Sequence, residues 1–302
     1  MAELMVVDHG KDVSVMIDKN GFPYTIGNPL PPVSAVTGKT ADVTELVSKR
    51  DANSYTGIEG IADEKSINSI VLKFVKPAQA SEGRLLIRAK NTLWLEAVSL
   101  KMHELFGERY NTFSAKREAV PGHKLQKWHL EQQLPLSVYL GNNNKWEFLD
   151  YFNLAGPAAM RDDILQLNLE GVTSDTVEIK LETGFRFWEV DYTAMDFSTR
   201  EEVTVIRTPL TSATSNGELS VKEALTASDN VYYVLDEKGD EAILLFDSPG
   251  MKNDSRSVFL HTRGYYKVLR DQTGPPDKKT LRSFRKPGRI PLFSREMHDS
   301  MK

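Results

Sequence analysis

The densest run of side chains able to do chemistry is FRFWEVDYTAMDF, Phe185 to Phe197. Read as a strand over 185–192, its period of two puts Trp188, Val190 and Tyr192 on one face, with Phe185, Phe187, Glu189 and Asp191 on the other. The second face passes from aromatic rings to carboxylates. A ring stacks on a pyranose while carboxylates accept its hydroxyl hydrogens, and convergent carboxylate oxygens also suit a hard cation such as Ca²⁺. Glu189, Asp191 and Asp196, with Trp146 as the accompanying ring, are therefore the candidate ligand-binding residues. The competing reading is a central strand whose carboxylates reach a sheet rim or pair with Arg186 or Arg200. Trp146 sits in NKWEFLDYFNLAGP after GNNNK, where a tryptophan is either a sugar platform or part of a core.

Paired carboxylates also hydrolyse glycosidic bonds, one as acid and one as base or nucleophile. Glu189, Asp191, Asp196, Asp162 and Asp163 could supply such a pair, but 42 acidic residues make the pattern unspecific. His123 and His129 are six apart, which matches neither a helical nor a strand metal-ligand spacing. No phosphate-binding loop, nucleophile elbow or dinucleotide-binding glycine motif is present. With no cysteine in 302 residues, disulfides, thiolate zinc sites and thiol catalysis are excluded. No catalytic residue, metal ligand or cofactor is assigned on these grounds, Ca²⁺ being the one ion the carboxylates suggest.

The net charge is −4, without the basic excess of a nucleic-acid binder. Basic residues gather only in DKKTLRSFRKPGR, where Lys278, Lys279, Arg282, Arg285, Lys286 and Arg289 read as a solvated basic C-terminal tail. The start MAELMVVDHGKD has no apolar signal-peptide core, and no run reaches the ~18 apolar residues that span a bilayer.

The elements that must position these side chains are announced by a repeat. PPVSAVTGKTADVTELVSKRDANSY returns as TPLTSATSNGELSVKEALTASDNVYY. One ungapped shift of 178 pairs Pro31 with Pro209, Ser34 with Ser212, Ala35 with Ala213, Val43 with Val221, Glu45 with Glu223, Asp51 with Asp229 and Tyr55 with Tyr233. The shift then falls to 172, aligning VLKFVKP with ILLFDSP, and RLLIRAKNTLWLEA follows the pattern of SVFLHTRGYYKVLR, placing Trp94 beside Tyr266. The copies run over 31–95 and 209–267. Asp51 and Asp229 are read as turn residues, since Asp and Asn bond the backbone two residues on; a pair of equivalent ligand loops is the other reading.

SIVLKFV, GRLLIRA, PLSVYLG, TVEIKLET, FRFWEVDY, EVTVIRT, NVYYVLD, EAILLFD and RSVFLHT are short and rich in β-branched and aromatic residues, and most are bounded by turn formers. DKNG, GNNNK and DEKGD read as hairpin turns. Helix is predicted over 95–106 and, for at most two turns, in DVTELVSKRD and SVKEALTASD. The expected fold is mainly β: two related sandwich-like, jelly-roll-like units from an internal duplication, with a few short helices. The units are placed at 1–200, with a long insertion, and 201–302. Such a chain is expected to be a non-catalytic binding module of an exported or surface protein, with a glycan or protein partner; a glycan hydrolase and a structural assembly protein are the alternatives.

Overall fold

A computed structural model describes residues 1–38, 40–57, 66–142, 145–216, 219–266 and 271–302. It is mostly β, with 39% strand and 21% helix. In chain order the first elements are β1 (Ala2–His9), β2 (Ser14–Ile17), β3 (Pro23–Ile26), β4 (Pro29–Leu30), β5 (Ser34–Thr37), α1 (Thr44–Val47), β6 (Ile67–Val75) and β7 (Glu82–Asn91). Three helices follow, α2 (Leu93–Glu104), α3 (Tyr110–Glu118) and α4 (Gly122–Glu131). Then come β8 (Leu136–Asn142), β9 (Lys145–Phe152), β10 (Arg161–Asn168), β11 (Thr176–Gly184) and β12 (Trp188–Asp196). The chain ends with β13 (Val205–Ser215), β14 (Leu219–Ser220), α5 (Lys222–Thr226), β15 (Ala242–Phe246), β16 (Ser255–Thr262), α6 (Lys278–Ser283) and α7 (Arg289–Asp299). Among the described residues no helix is long and apolar enough to cross a membrane.

The chain divides into a smaller unit, Met1–Ile17 with Gly21–Gly27 and Thr199–Leu269, and a larger one, Asp18–Asn20 with Asn28–Ser198 and Arg270–Lys302. Each end of the chain joins the unit that is remote from it in sequence. At the N-terminus the cause is strand pairing: β1 is hydrogen-bonded between β13 and β16. At the C-terminus it is packing, since Phe284 and Ile290 belong to the core of the larger unit.

In the larger unit two antiparallel sheets, β10-β7-β12-β4 and β5-β6-β11-β8-β9, face one another in sandwich fashion. Alternate residues point inward: Leu72 and Phe74 of β6, Ile179 and Leu181 of β11 and Val138 of β8 meet Leu85 and Ile87 of β7, Leu167 of β10 and Met195 of β12. The chain turns from one sheet to the other at Phe185–Phe187, although the composition of 185–192 predicts strand throughout. Arg186 takes φ 59°, and the Phe187 N–H donates to Gly184 O at 3.1 Å. Trp188, the first residue of β12, is 2% exposed and donates Nε1–H to Leu134 O at 2.9 Å.

The smaller unit holds the path β14-β13-β1-β16, with β15 also paired to β13, and the hairpin β2–β3. Its hydrogen bonds can be laid over those of the larger unit at the offsets read in the sequence. Ala35 opposes Leu72 and Val36 opposes Val71; Ala213 opposes Leu244 and Thr214 opposes Ile243. Val43 N–H donates to Ala35 O at 2.9 Å, and Val221 N–H donates to Ala213 O at 3.0 Å. Asp51 Oδ1 accepts from Asn53 N–H at 3.0 Å and Asp229 Oδ1 from Val231 N–H at 2.8 Å, so each aspartate bonds the backbone two residues on. α1 and α5 start at equivalent places, Val43 and Val221 both leaving their side chains uninvolved in capping.

Two other segments depart from expectation. Asn230–Asp236 forms no strand; Val231, Val234 and Leu235 are exposed, so β-formers without a partner strand stay irregular. The basic segment read as a tail folds into α6 and α7, with Phe284, Ile290 and Ser294 buried beneath its charges. β8 and β9 pair antiparallel with Asn142 opposite Lys145, and the turn expected in GNNNK falls on Asn143 and Asn144, outside the described residues.

Candidate functional site

The carboxylates singled out in the sequence are engaged within the larger unit. Between Val190 and Tyr192 the register of β12 shifts, so Asp191 sits at a bulge and leaves the face expected of it. It is 1% exposed, accepting from Ala52 N–H at 2.7 Å and Arg88 Nε–H at 3.1 Å. Asp196 is fully buried opposite Arg84, their charged groups 3.3 Å apart, and also accepts from Ser198 N–H at 2.8 Å and Ser198 Oγ–H at 3.0 Å. Glu189 pairs with Lys90 at 3.4 Å. Asp162 pairs with Arg50 at 2.8 Å and Arg88 at 3.3 Å, and Asp163 with Arg161 at 2.7 Å. Burial raises the Asp163 pKa, against the pull of Arg161. Trp146 is 39% exposed on β9, in the sheet opposite β12. The ring and the carboxylates therefore do not share a sheet. Among the described residues no three acidic or histidine side chains gather as metal ligands.

A concavity of this unit lies among its helices. Thr92 caps α2, its hydroxyl accepting from Leu95 N–H at 3.0 Å, and α2 buries Leu95 and Val98 against the sheets. At its end Gly107 takes φ 48°, and a Cβ there would stand 2.2 Å from Gly274 O. That close approach lets Glu108 N–H donate to Gly274 O at 3.0 Å, and Asp277 N–H donates to Leu105 O at 2.8 Å. Asp277 then caps α6, accepting from Thr280 N–H at 3.0 Å. From the other side the end of α4 clasps the α6–α7 connection. Gln132, wholly buried, donates Nε2–H to Lys286 O at 2.8 Å and to Phe284 O at 3.2 Å and accepts from Ile290 N–H at 2.9 Å. Trp128 Nε1–H donates to Phe284 O at 3.0 Å. α7 is latched by Ser294, which accepts from Trp94 Nε1–H at 2.8 Å and donates to Phe185 O at 3.1 Å.

The four helices α2, α3, α4 and α6 line an open cavity of about 650 Å³. Its floor is apolar: Leu95, Val98, Met102, Leu125, Leu134 and Phe284. Phe106 and Phe113, stacked 3.8 Å apart, form one wall. Seven basic side chains also line it, Arg109, Lys116, Arg117 and Lys124 from the α3–α4 side and Lys278, Arg282 and Arg285 from α6 and its end. No Asp or Glu lines it among the described residues, and none forms a salt bridge with these seven. His129 stands in the same wall, and burial, aided by Arg117, pushes its pKa down to about 4, so it is neutral at pH 7. The sequence reading missed this site. Its signal was the basic cluster itself, alternating with Leu281 and Phe284 in KKTLRSFRK, a helical amphipathic pattern.

The outer surface of the second sheet carries a shallow aromatic strip. Trp146 and Phe148 are exposed at alternate positions of β9, and Tyr139 meets Phe148 edge-on at 5.6 Å. Lys180 lies over the Tyr139 ring at 4.3 Å and bonds Glu182 at 2.7 Å. Burial and the neighbouring Glu182 raise the Tyr139 pKa to about 12.

The sequence matches no protein-family model and no curated protein.

Proposed function

We propose that this protein is a non-catalytic binding protein whose ligand is an amphiphile with an apolar body and an anionic head, such as a long-chain fatty acid. One observation carries the reading: an apolar cavity of about 650 Å³ with seven cationic side chains and no carboxylate in its described lining. That volume falls within the ~300–1,000 Å³ typical of small-molecule sites. Burial of the ligand's apolar body supplies roughly 25 cal/mol per Å². The uncompensated cations favour a carboxylate, sulfonate or phosphate head, arginine through paired N–H donors. A neutral sugar uses neither property. Two-carboxylate hydrolysis needs an acid pair about 5–10 Å apart at the substrate, and this lining provides no acid.

The test is uptake of the fluorescent sulfonate 1-anilinonaphthalene-8-sulfonate. Saturable one-to-one enhancement, reversed by oleate and not by acetate, is expected for the parent. Leu125→Trp, which fills the cavity, should abolish it. Failure of oleate to displace the probe, or full binding by Leu125→Trp, would defeat the reading.

A second reading, carbohydrate binding, is favoured by the strip of Trp146, Phe148 and Tyr139, where rings lie beside Lys180 and Glu182. A glycan panel on the parent and on Trp146→Ala checks it: binding should occur and be lost in the variant.

We also read β4–β5–α1–β6–β7 and β13–α5–β15–β16 as two copies of one ancestral segment. The matched registers support this, as does a paired charge. Asp196 opposes Arg84 across β12–β7, and Asp8 opposes Arg256 across β1–β16, the two arginines falling at the repeat offset.

A further inference from the structure

The smaller unit matches only part of the larger one. Its β13 covers the places of β4 and β5, its β15 that of β6, its β16 that of β7 and its β1 that of β12. In the larger unit β6 is paired on both edges, by β5 and by β11. In the smaller unit β15 pairs with β13 alone among the described residues. The consequence shows in burial. Leu72 and Phe74 of β6 are buried, at 0% and 1% exposure, whereas the corresponding Leu244 and Phe246 of β15 are only half-buried. The flanking Ile243 and Leu245 are exposed by 53% and 57%.

The orientation of the free edge follows from the ladder. Asn216 N–H donates to Glu241 O, so residues 241, 243 and 245 use their backbone groups toward β13. The N–H and C=O of Ala242, Leu244 and Phe246 therefore point away from it. An apolar strand edge of this kind is a template for one more strand.

We infer that β15 is an acceptor for an extended segment of a partner polypeptide, which adds antiparallel to it in the place that β11 fills beside β6. β11 specifies the chemistry of that segment. Val177, Ile179 and Leu181, opposite Phe74, Leu72 and Ile70, are buried, and they alternate with Glu178, Lys180 and Glu182. The fitting partner is thus a strand with apolar residues at every second position, which would lie over Phe246, Leu244 and Ala242. It would cover their half-buried side chains and satisfy the outward backbone groups.

The probe is a peptide of the β11 sequence, SDTVEIKLETG, added to the full chain, with a scrambled peptide lacking the alternation as control. Amide hydrogen exchange is read residue by residue. The expected result is slowing of Leu244 and Phe246 by about tenfold or more, with little change at Ile243 and Leu245, whose N–H groups already face β13. The scrambled peptide should have no effect. Leu244→Pro removes one outward donor without taking a bond from β13 and should abolish binding; Leu244→Asp, which keeps the backbone intact, should weaken it at least tenfold. Unchanged exchange at Leu244 and Phe246 with saturating peptide overturns the proposal. So does protection of these amides without peptide that grows with protein concentration, because a second copy would then hold the edge.

Discussion

Asp191 and Asp196 each hold a buried carboxylate of β12 against an arginine of β7, Arg88 and Arg84. Alternation along a strand assigns faces only while the register holds, and the shift at Asp191 turns its carboxylate toward Ala52 and Arg88. Arg84 and Arg256 were legible in principle. The offset that sets Trp94 beside Tyr266 also sets these arginines together, though a pattern begun at Ser257 starts one residue too late to include the second. Removing one member of the buried pair leaves its partner's charge unsatisfied, so Asp196→Ala should cost about 3–5 kcal/mol in urea unfolding. Trp188→Ala, which empties a packed site, should cost a similar ~3–5 kcal/mol. Two titrations separate by pH. His129 is held below its ordinary pKa of 6.5, near 4, so only the unfolded chain takes up this proton in between. Its contribution to stability is complete above pH 6.5 and falls as the pH drops toward 4, and His129→Gln should flatten that part of the profile. Asp8, held by Arg256 at about 2 instead of 3.8, contributes above pH 4 and loses that contribution as the pH falls through 2. Asp8→Asn should remove that lower step alone.

At the scale of elements, strands with strong alternation and the short helices of the repeat were legible because neighbouring residues determine them. α3 and α4 were not. YNTFSAKRE and GHKLQKWHLE carry few apolar residues, since each helix turns one face to a cavity and the other to solvent instead of lying on a solid core. NVYYVLD fails in the opposite sense, having strand composition but, among the described residues, no strand partner. What holds the cavity open is a set of backbone clasps that no periodicity reports. Gln132 is the central one, and Gln132→Ala would leave the buried N–H of Ile290 without its acceptor. A loss of about 2–3 kcal/mol is expected. Calorimetric unfolding of the variant checks the figure, and a stability equal to the parent's would show that α4 does not hold the α6–α7 connection.

For the molecule as a whole, one chain contains a larger unit of two facing sheets and a smaller unit built on the path β14-β13-β1-β16. The larger unit holds a ligand-sized cavity among its helices, whereas in the smaller unit β15 has, among the described residues, a strand partner on one edge only. The −4 net charge conceals the local excess of cations, because acidic residues elsewhere outnumber them. The most direct measurement of the proposed function is therefore one that separates the anionic head from the apolar body. Oleate and oleyl alcohol share a hydrocarbon chain and differ in charge, so their dissociation constants can be compared for the parent and for Arg282→Glu/Arg285→Glu. The parent is predicted to bind oleate more tightly than the alcohol. The double variant should lose roughly tenfold or more toward oleate, since each desolvated cation–carboxylate contact is worth ~1.5–3 kcal/mol, and should keep the parent's affinity for the alcohol. Equal affinity of the parent for the two ligands, or undiminished oleate binding by the variant, would contradict the account.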